Sequence, residues 1–493
     1  MLKWNKSYLI SFLIFIALIL HQLINPFQIE LNALKVINVG LLMISLWILE
    51  LMPMPVVALL PLIIFPLWKI DSLTETAKSY SDPIIFLFMG GFFLALAIEK
   101  WNLHQRIALN ILKKSGSNGN QILLGFMLST FLVSMWISNT ATTMMMFPIA
   151  LSIIKVMSHT YSEARLQNFS IALMLSIAYA SNIGGLSTII GTPPNTAYVG
   201  FMNDTMHSEI SFLQWMIVCF PIAIIILLAL YFVFTKFLFP NKIKHHLETE
   251  SFIKTQLEKL GSWSSAEKRV FAVFIVTALL WITKDILVEI TGLALNDTII
   301  AIIAGIALFA IPAGMKNNDK IEILVSDEES PNSIVNLLEW KDTKNMAWGI
   351  LLLFGGGLAL AKGLENAGVM KMIGDSISIY APDNRFLLIL LVATVSIFLS
   401  EVMSNIAQVI VMAPILTSVA IAMNIPPIVV GLPMTLAASC AGMLPMGTPP
   451  NAIVYASGKI PLKKMLKAGF VLNIISILVI SVFCYFLTGI VFQ

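Results

Sequence analysis

The stretch that decides the fold is SNIGGLSTIIGTPPN at residues 181–195, whose last five residues return unchanged as GTPPN at 447–451. Each proline lacks an N–H group and disfavours helical geometry in the residue before it, so a helix must break at Thr192 and at Thr448. The sequence therefore predicts two broken helices that carry the same interruption.

The surrounding composition is that of a membrane protein. Of the 493 residues, 58% are hydrophobic and 12% are charged, against about 45 to 50% and about 25% in soluble domains. Residues 115–154, 166–203, 210–235 and 402–458 contain no Asp, Glu, Lys or Arg, and about 20 apolar residues suffice to cross a bilayer as a helix. The net charge of +3 and the three cysteines exclude a nucleic-acid binder and a disulfide framework. We therefore expect an all-α polytopic membrane protein.

Hydropathy predicts about eleven transmembrane spans. They lie near 7–25, 33–49, 52–68, 80–98, 170–200, 210–238, 268–291, 296–313, 346–363, 427–457 and 465–491. Two further apolar stretches, 121–154 and 386–420, are interrupted in the middle by polar residues, which indicates re-entrant hairpins. The stretch 94–114 mixes charges with apolar positions at helical spacing and predicts a helix along the membrane interface.

Basic residues predict the orientation. The segment 241–269 holds six Lys or Arg, and Lys3 and Lys6 precede the first span, so both segments are expected in the cytoplasm. His245 and His246 lie in this charged segment and are expected to be solvated. The predicted divisions are an N-terminal helix at 1–32, a first repeat at 33–240, a cytoplasmic loop at 241–269 and a second repeat at 270–493.

The two halves of the chain repeat one another in order. FMGGFFLALAIE at 88–99 returns as LFGGGLALAKGLE at 353–365 with one insertion, and SNTA at 138–141 returns as SNIA at 404–407, ahead of the second GTPPN. The paired glycines in the first of these motifs are expected to serve close helix packing. Duplicated polar motifs at membrane depth are typical of a transporter whose site lies at the repeat interface.

The chemistry of a broken helix suits ions of both signs. Free N–H groups at the start of one half attract anions, and free carbonyls at the end of the other half attract small cations such as sodium. The uncharged stretches 115–154, 166–203 and 402–458 also lack histidine, so an anion bound there must be balanced by ions that arrive with it. Glu401, beside the second motif, is either a functional intramembrane carboxylate or a helix-end residue near water.

These motifs resemble those of the divalent-anion/sodium symporter family, over nearly the whole chain from about Asn38 to the C-terminus. The resemblance implies eleven spans and two re-entrant hairpins in an inverted repeat, a homodimer and elevator-type movement. It implies two or more sodium ions, held by Ser134, Ser138, Asn139 and Gly191 at one site and by Ser400, Met403, Asn405 and Gly447 at the other. It implies substrate contacts from Asn139, Thr140, Thr192, Asn405, Thr448 and Pro449.

One position departs from the family pattern. Ile406 stands where the second motif should have threonine, so one hydroxyl toward the substrate is missing. Either the transported anion is small enough to need only the first motif, or Gln408 or Thr448 reaches the same oxygen. This departure makes sulfate or another anion a competitor of the C4-dicarboxylates.

The favoured function is sodium-coupled symport of divalent organic anions, with C4-dicarboxylates such as succinate first, across the inner (plasma) membrane. The alternative within the same class is a dicarboxylate or sulfate exchanger that is not driven by sodium, which would be expected to offer a fixed positive charge near the site. A channel fits broken helices around a midplane site less well than alternating access. An intramembrane enzyme is disfavoured because no histidine or paired aspartate accompanies the motifs.

Overall fold

The structure is a computed structural model and is almost entirely helical. It describes residues 16–18, 20–21, 24–25, 29–49, 51–206, 209–241, 243, 246–314 and 335–492. Most of the predicted N-terminal helix at 1–32 lies outside these residues. Two short strands, Pro312–Gly314 and Val335–Asn336, pair antiparallel.

The helices follow the predicted apolar segments. In the first half they are Leu31–Ile48, Met54–Val57, Leu60–Leu67, Leu73–Lys78, Pro83–Lys100, Leu103–Ser115, Gly119–Ser134, Asn139–Ser158, Glu163–Gly185, Pro193–Thr205 and Phe212–Val233, the last continued by a π-helical turn at Phe234–Leu238. In the second half they are Leu247–Lys259, Ser265–Thr291, Asp297–Ala310, Trp348–Asn366, Val369–Ser378, Arg385–Ser400, Asn405–Ala422, Ile428–Ala438, Pro449–Tyr455 and Leu462–Val491. Short 3₁₀ turns lie at Ser79–Ser81 and Trp340–Asn345.

Within the described residues, eight helices are long and apolar enough to cross a membrane. They are Leu31–Ile48, Leu73–Lys100, Asn139–Ser158, Phe212–Leu238, Ser265–Thr291, Trp348–Asn366, Asn405–Ala422 and Leu462–Val491. The predicted span at 52–68 is divided into two short helices, and Pro61 stands at the start of the second. A proline there cannot donate the N–H bond that a continuous helix needs.

Two helical hairpins form where polar residues interrupt the apolar stretches. The first hairpin consists of Gly119–Ser134 and Asn139–Ser158, joined by the tip 135–138. The second hairpin consists of Arg385–Ser400 and Asn405–Ala422, joined by the tip 401–404. In both hairpins the Ser-Asn pair lies where the tip becomes the second helix.

The two broken helices are also present. In the first, Glu163–Gly185 ends and Pro193–Thr205 begins after Thr192. In the second, Ile428–Ala438 ends and Pro449–Tyr455 begins after Thr448. The predicted interruptions at both Thr-Pro-Pro sequences are therefore confirmed. We call the connecting segments 186–192 and 439–448 the first and second breaks.

The halves interlock at the broken helices. Pro193–Thr205 packs against Asn405–Ala422 of the second hairpin, and Pro449–Tyr455 packs against Asn139–Ser158 of the first. Each broken helix therefore contacts the hairpin of the other half. This crossing brings the duplicated polar motifs together in the interior.

The paired glycines pack helices closely, as expected. A Cβ atom on Gly90 would collide with the backbone of Ala301, and one on Gly356 would collide with the backbone of Ala58. Helix Pro83–Lys100 can therefore lie directly against the helix that contains Ala301 only because position 90 has no side chain.

The charged segment at 241–269 contains a helix, Leu247–Lys259, and the expectation that His246 is solvated is wrong. His245 lies outside the described residues, and His246 is 5% exposed. Its Nδ1 is 2.9 Å from the hydroxyl of Thr249, and its Nε2 is 3.1 Å from the hydroxyl of Thr160. The helix packs against Leu103–Ser115 and the first hairpin, and this packing covers the ring.

A buried ion pair fixes the amphipathic helix Leu103–Ser115. Arg106 Nε donates to Glu267 Oε1 at 2.7 Å, and Arg106 Nη2 donates to Glu267 Oε2 at 3.2 Å. The guanidinium also donates to the carbonyl of Gly261 at 2.9 Å. A paired and fully bonded guanidinium can stay buried where a lone charge could not, so this helix is tied to the start of Ser265–Thr291.

Candidate functional site

The two hairpin tips have the same internal hydrogen bond. Ser134 Oγ donates to Asn139 Oδ1 at 2.8 Å in the first hairpin, and Ser400 Oγ donates to Asn405 Oδ1 at 2.6 Å in the second. Each bond spans five residues around the tip. The bonds hold both asparagine side chains in place, and they account for the five-residue spacing between each serine and its asparagine in the sequence.

The last residue of each GTPPN motif holds its break in shape. Asn195 Nδ2 donates to the carbonyls of Gly185 at 3.0 Å and Thr188 at 2.8 Å. Asn451 makes the equivalent two bonds in the second break, at 3.2 Å each. Both asparagines are fully buried. Their role was missed from the sequence, although their duplication within the motif was a signal for it.

In the first repeat, a hydroxyl links the break to the tip. Thr188 Oγ1 donates to the carbonyl of Met135 at 2.6 Å. Gly191 packs closely against the backbone at the end of the preceding helix, since a Cβ atom on Gly191 would be 2.5 Å from the carbonyl oxygen of Gly185. The backbone of the first break is therefore closely packed around the residues assigned to sodium.

In the second repeat, a carboxylate makes this link. Glu401 stands at the position that Met135 occupies in the first repeat. Its two oxygens accept hydrogen bonds from the N–H groups of 442–444 at 2.9 to 3.0 Å and from Asn473 Nδ2 at 2.9 Å. Glu401 is 4% exposed, so the interpretation as a helix-end residue near water is wrong.

One side chain joins the two clusters. Asn139 Nδ2 donates to Asn182 Oδ1 at 3.5 Å, and Asn182 Nδ2 donates to Thr448 Oγ1 at 3.0 Å. The Thr448 hydroxyl also accepts from the N–H of Asn451 at 3.4 Å. Residues of the first hairpin and of the second GTPPN motif therefore lie within one hydrogen-bonded cluster.

The predicted residues line one polar region with a graded exposure. Ser134, Gly191, Thr192, Ser400, Gly447 and Thr448 are buried, Asn139, Thr140, Met403 and Asn405 are half-buried, and Ser138 and Pro449 are exposed. The hydroxyls that position the asparagines thus lie inside. The outer parts of both tips remain accessible to a ligand.

Four helices begin at this region, and none of the residues assigned to it carries a positive charge. Helices start at Asn139, Pro193, Asn405 and Pro449, and the N-terminal N–H groups and dipole of a helix favour anions. Among the described residues, no group of three or more His, Cys, Asp or Glu side chains could hold a metal ion. Hydroxyl, amide and carbonyl oxygens are the available cation ligands, and they suit sodium.

Gln408 does not belong to this region. Its Nε2 donates to the carbonyl of Ser396 at 2.9 Å and to the Ser396 hydroxyl at 2.6 Å, inside the second hairpin. Gln408 is fully buried. The alternative that Gln408 replaces the hydroxyl missing at Ile406 is therefore wrong, whereas Thr448 lies in the cluster.

Two hairpins, two broken helices and a charge-poor polar cluster between them define a polytopic secondary transporter. The chain belongs to the sodium:sulfate symporter family, because the sequence model described as "Sodium:sulfate symporter transmembrane region" matches residues 3–491. Membership confirms the resemblance drawn from the motifs, and it confirms that the protein is a transporter and not an intramembrane enzyme.

Relatives of similar length support this membership. The sodium-dependent dicarboxylate transporter SdcS of Staphylococcus saprophyticus is 38% identical over 504 residues, covering 98% of this chain and 93% of its own. The protein of the same name from Staphylococcus aureus strain RF122 is 38% identical over 476 residues, covering 95% of this chain and 88% of its own.

Two solved structures share the fold at low sequence identity. The YdaH transporter of Alcanivorax borkumensis matches with a TM-score of 0.56 and 12% identity, covering 85% of this chain and 88% of its own. MtrF of Neisseria gonorrhoeae matches with a TM-score of 0.54 and 12% identity, covering 84% of this chain and 83% of its own. The polytopic helical transporter fold is confirmed by these neighbours.

Proposed function

We propose that the protein is a sodium-coupled symporter of divalent organic anions, with C4-dicarboxylates such as succinate as its substrates. The observation that carries this proposal is the duplicated serine–asparagine pair at two helix starts, without any Lys, Arg or His among the assigned residues. An anion in such a site needs co-bound cations. The relatives named as sodium-dependent dicarboxylate transporters support the choice of both ions.

Two sodium sites are proposed, one in each repeat. Ser134, Ser138, Asn139 and Gly191 form the first, and Ser400, Met403, Asn405 and Gly447 form the second. The equivalent hydrogen bonds in the two tips support this pairing. The substrate carboxylates are proposed to contact Asn139, Thr140, Thr192, Asn405, Thr448 and Pro449, where helix starts and accessible tip residues coincide.

The wider architecture is proposed from the repeat. Residues 33–240 and 270–493 form an inverted repeat with re-entrant hairpins, and the hairpins and broken helices move together as an elevator domain. The interlocked packing of the broken helices supports movement as one body. The protein is proposed to be a homodimer in the plasma membrane, with the N-terminus and the segment 241–269 in the cytoplasm because of their basic residues.

The test of the function is uptake of labelled succinate, citrate and sulfate into proteoliposomes. We expect an inward sodium gradient to drive succinate uptake above the level reached with potassium, and to drive sulfate less. Sodium-independent uptake that requires a dicarboxylate inside the vesicle would identify an exchanger instead. Empty liposomes and a heat-inactivated sample provide the controls.

Removing either tip asparagine is expected to weaken sodium binding. Asn139→Ala and Asn405→Ala each remove an amide oxygen held at the tip by a serine hydroxyl, and we expect the half-saturating sodium concentration to rise about tenfold or more, which corresponds to about 1.4 kcal/mol. The measurement is succinate uptake against sodium concentration. Ser152→Ala is the matched control, because its hydroxyl bonds only to the carbonyl of Pro148 in its own helix. Unchanged sodium dependence in either variant would contradict the assignment.

Restoring the missing hydroxyl is expected to tighten substrate binding. A hydrogen bond to a charged group contributes about 1.5 to 3 kcal/mol, so Ile406→Thr should lower the half-saturating succinate concentration about tenfold or more. Sodium affinity should stay nearly unchanged, because the proposed ligands Ser400, Met403, Asn405 and Gly447 are intact. The comparison is made at fixed sodium, with Ile406→Val as the control for size. An unchanged or weaker succinate affinity would mean that position 406 does not face the substrate.

A further inference from the structure

We propose that Asn182 is a positioning residue that couples the first sodium site to the substrate contact at Thr448. This inference rests on the proposed function. It assigns a role to a side chain outside the duplicated motifs, and it names the physical path by which sodium at one repeat affects substrate binding at the other.

The geometry places Asn182 between the two sites. Its Oδ1 accepts from Asn139 Nδ2 at 3.5 Å, and its Nδ2 donates to Thr448 Oγ1 at 3.0 Å. Asn182 is 2% exposed, and its bond to Thr448 is buried, whereas its bond to the half-buried Asn139 is only partly buried. Asn182 and Thr448 are 266 residues apart in the chain, and the bond therefore joins the first broken helix to the second.

The repeat shows that Asn182 is not needed to build a broken helix. With the two GTPPN motifs aligned, Asn182 corresponds to Ala438. The second broken helix has the same interruption and the same asparagine clamp without an amide at this position. The polar group at 182 therefore serves something other than the break, and its bonds point to the link between the clusters.

The chemistry of the amide gives the link a direction. A sodium ion on the Asn139 oxygen withdraws electron density from that amide, and the Asn139 N–H becomes a stronger donor to Asn182. Hydrogen bonds in a chain strengthen one another in a low dielectric, so the Asn182 bond to Thr448 strengthens as well. The Thr448 hydroxyl oxygen accepts hydrogen bonds from both Asn182 and Asn451. Its own proton is therefore available to donate a hydrogen bond to a substrate carboxylate.

The decisive experiment is a double-mutant cycle between Asn182→Leu and Thr448→Val. Both substitutions keep the approximate shape and remove the hydrogen bond. We expect Asn182→Leu to raise the half-saturating succinate concentration about tenfold and to make this concentration depend less on sodium. The maximal rate should change less than twofold. In the Thr448→Val background, Asn182→Leu should raise the half-saturating succinate concentration by less than about twofold.

Three controls separate coupling from a structural role. Ser176→Ala removes a buried hydroxyl that bonds only to Leu173 in the same helix, and it should behave like the wild type. Asn182→Ser keeps a donor and an acceptor and should be intermediate; it replaces the leucine variant if that variant does not fold. Sodium alone should still raise the thermal unfolding temperature of the purified variant, because the sodium ligands are intact.

The outcomes distinguish this inference from the proposed function. The coupling role would be overturned if Asn182→Leu weakened succinate affinity tenfold both in the wild type and in the Thr448→Val background. It would also be overturned if the sodium dependence of succinate affinity were unchanged in Asn182→Leu. In both cases the wild type would still transport. Absence of sodium-driven dicarboxylate uptake by the wild type would overturn the proposed function itself. A change of twofold or less in the half-saturating succinate concentration of Asn182→Leu would also overturn the inference.

Discussion

Glu401→Gln is expected to reduce sodium-driven uptake at least about 100-fold. The carboxylate accepts hydrogen bonds from the three N–H groups of 442–444 and from Asn473. Glutamine replaces one of the two oxygens by an NH₂ group, which sets donor against donor in a buried site. Oε1 accepts three of these bonds and Oε2 accepts one, so glutamine loses at least one bond and reduces the others to bonds with a neutral group. Hydrogen bonds to a charged group are worth about 1.5 to 3 kcal/mol each, and a combined loss of about 2.8 kcal/mol corresponds to a 100-fold effect.

The measurement is the initial rate of succinate uptake at saturating sodium, together with gel filtration to show that the variant is folded. Met135→Leu is the matched variant, since Met135 holds the equivalent place in the first tip, its side chain is buried among apolar residues, and its hydrogen bond to the break uses its backbone carbonyl. We expect that variant to keep most of its activity. Uptake by Glu401→Gln near the wild-type rate would show that the carboxylate is dispensable.

The sequence predicted the parts of the site that depend on local chemistry. Thr-Pro-Pro interrupts a helix wherever it occurs, so the breaks before Pro193 and Pro449 could be placed to the residue. The hairpins followed from polar pairs in long apolar stretches. Asn182 could not be recognised in this way, because its partner Thr448 becomes a neighbour only when the two broken helices pack together.

Glu401 was visible in the sequence, but its environment was not. A carboxylate beside a helix end can lie in water or in the interior, and only the positions of distant residues such as Asn473 decide between them. His246 shows the same error, since a charged segment suggested solvent while the residue is buried where helix Leu247–Lys259 packs on its neighbours. Burial of a polar residue depends on tertiary packing, which local composition does not determine.

The two repeats link tip and break at equivalent positions with reversed chemistry. In the first repeat, the Thr188 side chain in the break donates to the tip carbonyl of Met135. In the second, the Glu401 side chain in the tip accepts from the break N–H of Leu444. Only the second link carries a negative charge, and a nearby charge of opposite sign favours a bound cation. We therefore expect the second site to bind sodium more tightly than the first.

The glycines of the two GTPPN motifs should differ in their tolerance of a methyl group. A Cβ atom on Gly191 would be 2.5 Å from the carbonyl oxygen of Gly185 and 3.0 Å from Thr188 Oγ1. The Gly185 carbonyl cannot move away easily, because Asn195 holds it at 3.0 Å. On Gly447, the nearest atoms to the Cβ would be Glu401 Oε2 at 3.1 Å and the Leu444 carbonyl oxygen at 3.3 Å, so the neighbours need to give by only a few tenths of an ångström.

We therefore expect Gly191→Ala to lose at least about 95% of sodium-driven uptake, and Gly447→Ala to keep at least about a third, since a buried collision with backbone costs about 1 to 3 kcal/mol or more. The two variants form a matched pair, because they add the same methyl group at the same place of the same motif. Uptake and thermal unfolding temperature should both be measured for each. Equal tolerance at the two positions would mean that the Asn195 clamp yields, and the first break would then be a flexible loop and not a fixed ligand for sodium.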